Sequence, residues 1–142
     1  MAQPSTWSAA YDAILIKDGN AHAMQFASAV TENIRPSLRF VLAPIVSAIR
    51  YAENGGKGRE YGILHPNVKP TYRSQAGWCA ATVQKHWDRH IKAGSNPDNI
   101  QGFVVSLGKR YCPVGAKNDP NGLNQHWIKN VENLRKRFAW RR

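Results

Sequence analysis

Ala43-Pro44-Ile45-Val46-Ser47-Ala48-Ile49-Arg50-Tyr51-Ala52-Glu53-Asn54-Gly55-Gly56 carries an acidic residue to the end of an apolar run and then stops on two glycines. Ile45, Ala48, Ile49 and Ala52 recur at spacings of three and four, which predicts a helix with a buried stripe. Glu53 falls four residues after Ile49, at the edge of that stripe. A carboxyl group half-sunk among apolar neighbours has its charged form disfavoured, so it keeps its proton to higher pH. A general acid needs that property. A Glu at a helix C-terminus also works mildly against the dipole. The plain alternative is a solvated carboxylate at a helix end.

Working outward, residues 5 to 17 predict a first helix, with Ser5 or Thr6 as cap, Trp7, Tyr11, Ile14 and Leu15 on one side, and Asp18-Gly19-Asn20 as its stop. Residues 21 to 34 predict a second, with Met24, Ala27, Val30 and Ile34 inward and Arg35-Pro36 ending it. Ser37 caps a segment through Leu42, and Pro44 either kinks it or begins a fresh helix. After the quoted stretch the chain changes character. Gly55, Gly56, Gly58, Gly62, Pro66 and Pro70 interrupt any helix, while Tyr61, Ile63 and Leu64 suggest a short strand or hairpin.

Ser74 then caps a long helix to about Ala93, carrying Trp78, Val83, Trp87 and Ile91. Asn96-Pro97 introduces another, with Ile100, Phe103, Val104 and Leu107 inward. Residues 112 to 122 read as a loop, and Leu123, Trp127, Val131, Leu134 and Phe138 set the register of a last helix. The expected fold is mainly α within the α+β class: one helical domain over residues 1–142 with a small β-hairpin after its central helix.

At 142 residues the chain suits a single domain that buries roughly two-thirds of its unfolded surface. A net charge of +11 draws it to a polyanion: nucleic acid, an anionic membrane face, or a bacterial wall with its carboxylates and phosphates. Cys79 and Cys112 allow one disulfide or two buried thiols, and they lack the CxxC spacing of a zinc ribbon. The first residues have neither the basic start nor the apolar run of a signal peptide, and no stretch approaches a membrane span. His86 and His90 stand four apart with Asp88 between them, a spacing that can hold a metal. The pattern His-Trp-Asp-Arg-His is not that of the zinc proteases, however, and no metal or cofactor is expected.

The order of apolar helix, terminal Glu53, glycine break and then Gly58-Arg59-Glu60-Tyr61-Gly62-Ile63-Leu64 resembles the lysozyme-like superfamily, including lytic transglycosylases and phage endolysins. Phe103 to Pro113, with Arg110-Tyr111-Cys112-Pro113, and Asn118 to Val131 resemble bacterial glucosaminidases and related phage wall hydrolases, with Cys112 where their turn has Ala. Thr71-Tyr72-Arg73-Ser74 resembles the short aromatic segment that closes their hairpin region. The likeness runs in order from about residue 45 to 134. It implies that the catalytic acid ends the central helix and that Tyr111 orients the cleft.

Glycosidic cleavage needs a proton donor for the leaving oxygen and a means of stabilising positive charge at the anomeric carbon. Glu53 is the donor candidate. Glu60 is a candidate second carboxylate if the glycine-rich turn folds back, although beside Arg59 it reads more readily as part of a surface ion pair or of the hairpin's structure. Asp119 is another candidate, or a turn former before Pro120. A transglycosylase-like site needs no second carboxylate. Tyr61, Tyr72 and Trp78 offer flat faces to sugar rings, and Gln75, Asn118 and Asn124 offer polar groups to hydroxyls or acetamides.

The function expected is cleavage of the peptidoglycan glycan strand by a monomeric muramidase, glucosaminidase or lytic transglycosylase attracted to anionic wall polymers. With no signal peptide, release through phage holins or carriage in a virion is the expected route to the wall. The competing reading is a basic nucleic-acid-binding module without activity. It rests on Arg135-Lys136-Arg137-Phe138-Ala139-Trp140-Arg141-Arg142, where cations alternate with aromatics. Against it, no recognised nucleic-acid motif appears.

Overall fold

The quoted stretch lies at the centre of the molecule. In the computed structural model, which describes residues 7–53, 55–111 and 125–139, it belongs to a helix running from Arg39 to Glu53. Every residue from Leu42 to Arg50 is buried, so the helix is enclosed on all sides rather than along one stripe. Around this helix, α3, stand α1 (Ser8–Asp18), α2 (Asn20–Asn33), α4 (Tyr72–Lys92), α5 (Ile100–Tyr111) and α6 (Gln125–Phe138). α6 is its main neighbour, α4 and α1 pack on it further round, and α2 lies chiefly on α4.

Pro44 neither begins a helix nor breaks one. A 3-10 turn at Pro36–Leu38 leads into α3, which continues through Pro44. The proline lacks the N–H that would bond the Phe40 carbonyl. Buried Ser47 satisfies itself by donating to the Pro44 carbonyl at 3.0 Å.

Several register details differ from the sequence reading. In α2 the inward residues are Ala23, Phe26, Ala29 and Val30, while Met24 is 59% exposed; the large Phe26 ring, packed edge-on against Trp7, sets the face. Leu15 and Ile91 are exposed rather than inward. α4 starts two residues before Ser74, because Thr71 is the cap and accepts from the Ser74 N–H at 3.1 Å. Asn96 closes a turn with the Asp98 N–H, and Asn99 caps α5 through the Gly102 N–H. α1 passes into α2 through Gly19 alone, whose φ of 89° lies in the left-handed region that favours glycine. Ser5, Thr6, the 112–122 loop and Leu123 lie outside the described residues.

The β-hairpin expected after the central helix is not formed: no strand occurs among the described residues. Residues 55–71 are instead a chain of turns, closed by Arg59 N–H to Gly56, Gly62 N–H to Arg59 and Val68 N–H to His65. Two side chains replace the missing ladder. The Gln75 carboxamide accepts from the Tyr61 and Ile63 N–H groups, both at 3.1 Å, and donates to the Ile63 carbonyl at 2.9 Å. The Arg50 guanidinium donates to the carbonyls of Gly55 and Glu60. A segment this rich in Gly and Pro loses too much to sustain strand pairing, so its backbone groups are satisfied by side chains of the helices below.

Candidate functional site

The last turn of α3 presents Glu53 to a cradle made by three other elements. Its Oε2 accepts from the indole Nε1–H of Trp127 on α6 at 2.7 Å. Its carboxyl lies directly over Gly62, where a Cβ would collide with Oε1 and where φ is +72°. Glycine is therefore required there twice, for space and for conformation. Trp127 is stacked on Tyr111 of α5, with ring centroids 5.1 Å apart and planes 23° apart. Gly108, one turn before Tyr111, makes room for Trp127 and Ile128. The Tyr111 hydroxyl donates to the Tyr61 carbonyl at 2.6 Å, tying α5 to the turn segment.

This surrounding is apolar. Burial pushes the Glu53 carboxyl above its ordinary value of 4.5, and the Trp127 hydrogen bond offsets that only in part. Burial likewise holds the Tyr111 phenol protonated. Beneath it the free thiol of Cys79 is fully buried and is pushed up to about 12 by burial, so it carries no thiolate character at neutral pH. Cys112 lies outside the described residues.

One turn earlier on α3, Arg50 faces a polar cluster. It grips Asp18, the last residue of α1, through Nε and Nη2, both at 2.8 Å, and both side chains are about nine-tenths buried. Tyr72 adds a third donor to Asp18 at 2.8 Å and shares a 2.7 Å hydrogen bond with the Tyr61 hydroxyl. Burial raises the Asp18 carboxyl, but the hydrogen bonds from Arg50 and Tyr72 and the Arg50 charge together leave it below its ordinary value. This cluster fixes the end of α3, and with it the origin of the Glu53 side chain.

The residues expected to serve the site fall into distinct places. Tyr61 and Gln75 are fully buried and hold the 55–71 segment in place; neither offers a face to a ligand. Tyr72 is almost as buried, with its hydroxyl committed to Asp18 and Tyr61. Tyr111 joins Glu53 through Trp127, whereas Glu60 lines a separate cleft and does not reach the Glu53 cradle. Asn118, Asp119 and Asn124 lie outside the described residues. Trp78 is partly exposed beside His65, on the wall of a groove between α2 and α4.

His86 bonds Ser106 and Asp88 bonds Arg35, so the pair spaced four apart does not converge with Asp88. Among the described residues no three His, Cys, Asp or Glu gather as a metal-sized group.

Trp127 was legible only as a core residue of the last helix. Its indole N–H is the group that meets Glu53, and no local pattern announces a partner 74 residues away. Asp18 read as a helix stop because its partner Arg50 is equally remote in sequence.

No family model, no curated protein and no solved structure matches this chain. No helix among the described residues is long and apolar enough to cross a membrane.

Proposed function

We propose that this protein cleaves the glycan strand of peptidoglycan, as a muramidase, glucosaminidase or lytic transglycosylase, with Glu53 as the general acid. One observation carries the reading: a carboxyl at the end of the central helix, half-buried, raised by desolvation and held, among the described residues, by one neutral donor. Trp127 occupies Oε2, so the proton belongs on Oε1, the oxygen that faces Gly62. From there it passes to the leaving glycosidic oxygen as the bond breaks.

Tyr111 acts as a positioning residue, since its ring fixes the indole that orients Glu53. Among the described residues no second carboxylate touches Glu53, which suits a route in which a substrate hydroxyl attacks. Asp119 remains the sequence candidate for a hydrolytic partner. The charge of +11 supports the same substrate by concentrating the protein on an anionic wall.

The test is Glu53→Gln. The variant is expected to fold normally and to lose all clearing of a cell-wall suspension. Clearing at the wild-type rate eliminates the reading. Mass spectrometry of sugars released by the wild type then separates reducing ends from anhydro ends, and so hydrolysis from internal attack.

A further inference from the structure

A cleft of about 660 Å³ opens beside the Asp18–Arg50 pair, bounded by α2, the turn at 55–60 and the start of α4. That volume lies within the range of small-ligand sites. Glu60 lines it and is only 6% exposed, yet its carboxylate has no hydrogen-bond or ion-pair partner among the described residues, and Oε1 is closed off from solvent. Gln25, on the same wall, also has a buried Oε1 without a partner. Two orphaned acceptors in one cleft are uncommon, because a buried polar group without a partner is costly. The His22 ring lies flat on Tyr72, 4.2 Å apart and 7° from parallel, and gives the cleft a planar aromatic wall.

Charge narrows the ligand. Asp18 neutralises Arg50, Glu32 pairs with Arg73 at 2.7 Å, and the two charges left in the cleft, Lys57 and Glu60, are opposite in sign. A cation meets Lys57 and a chain of net charge +11; an anion meets Glu60 and the Gln25 carbonyl oxygen. A neutral molecule rich in hydroxyl donors, with an apolar face for the ring wall, satisfies every group.

We propose that this cleft is a saccharide-binding site, distinct from the Glu53 cradle, in which the Glu60 and Gln25 side chains turn toward the ligand and ring hydroxyls donate to them against the His22 wall. The proposal rests on the glycan reading for its ligand class and gives the strand a second hold on the protein. Glu60 thereby acts as a binding group instead of a second catalytic carboxylate.

The experiment titrates the isotope-labelled full chain, wild type and Glu53→Gln, with the tetrasaccharide of N-acetylglucosamine and follows backbone amides by NMR. Saturable shifts are expected at His22, Gly55, Gly56 and Tyr72 in both proteins. Glu60→Ala is expected to weaken binding about tenfold, as for loss of a hydrogen bond to a charged group, and Gln25→Leu about threefold or more. If Glu60→Ala does not fold, Gln25→Leu decides alone, since its side chain bonds nothing among the described residues.

Absence of shifts at these amides, or unchanged affinity in the folded variants, overturns the proposal. The two readings fail separately. Cleft shifts alongside wall clearing that survives Glu53→Gln remove the acid and keep the cleft; loss of clearing without cleft shifts does the reverse.

Discussion

Asp18 and Glu53 hold equivalent posts: each is the last residue of its helix, each is largely withdrawn from water, and each works against a helix dipole. Their carboxyl groups are nonetheless driven in opposite directions, Asp18 below its ordinary value and Glu53 above. Burial pushes both upward. The difference lies in the donors: Asp18 receives two hydrogen bonds and a full charge from Arg50 and a third bond from Tyr72, whereas Glu53 receives one bond from a neutral indole. Donor count and donor charge, more than depth, decide which carboxylate locks the fold and which is free to carry a proton.

The strongest way to break this contrast is to remove the locked partner. Asp18→Ala leaves the Arg50 guanidinium buried without its counter-charge, which is expected to cost about 3–5 kcal/mol in denaturant unfolding. The pH dependence fixes the cause. A carboxyl whose folded-state pKa is lowered stabilises the fold above its unfolded value, 3.8 here, and that stabilisation is lost as pH falls through the folded value. The gap between wild type and Asp18→Ala therefore closes in strong acid. A gap that persists below the folded value points to lost packing instead of a lost ion pair.

A smaller change sharpens the other side. Trp127→Phe keeps an aromatic ring near Tyr111 but removes the only donor to Glu53 among the described residues. Leaving that acceptor unpaired is expected to cost about 1–3 kcal/mol. The indole bond is also the influence that lowers the Glu53 pKa, so its loss drives the carboxyl higher still. If Glu53 works as a protonated acid, the alkaline limb of kcat/KM moves to higher pH in Trp127→Phe while kcat falls through lost positioning. An unmoved limb assigns the titration to another group.

The same contrast explains what could be read from the chain. The place of Glu53 at a helix end was legible because that signal is local: Ile45, Ala48 and Ile49 precede it at helical spacing, and Gly55 and Gly56 follow. The helices among the described residues were legible from periodicity and from proline and glycine stops, except that Pro44 left the course of α3 open. The hairpin was misread because Tyr61 and Ile63 look like strand residues, while their backbone hydrogen-bond partners are the side chains of Gln75 and Tyr111, on helices elsewhere in the chain. Asp18 was read as punctuation for a related reason. A pair 32 residues apart leaves no periodic trace in the sequence, so long-range polar contacts were the part that had to be seen in three dimensions.

The subtlest test compares the two carboxyls by stability alone, without any assay of activity. A raised folded-state pKa means that the native chain holds the Glu53 proton more tightly than the unfolded chain does. The resulting stabilisation is complete below the unfolded value, 4.5 here, and is lost as pH rises through the folded value. Glu53→Gln cannot titrate and keeps an oxygen for the Trp127 N–H. Relative to wild type it is therefore expected to gain stability as pH rises above 4.5 and to level off once Glu53 is ionised. Asp18→Ala gives a difference of opposite slope at lower pH, so unfolding curves for the two variants should diverge from wild type in opposite senses. A flat difference for Glu53→Gln would mean a fully hydrated carboxylate. A growing deficit at high pH would mean a cation paired with Glu53, and either result removes the proton on which the acid role depends.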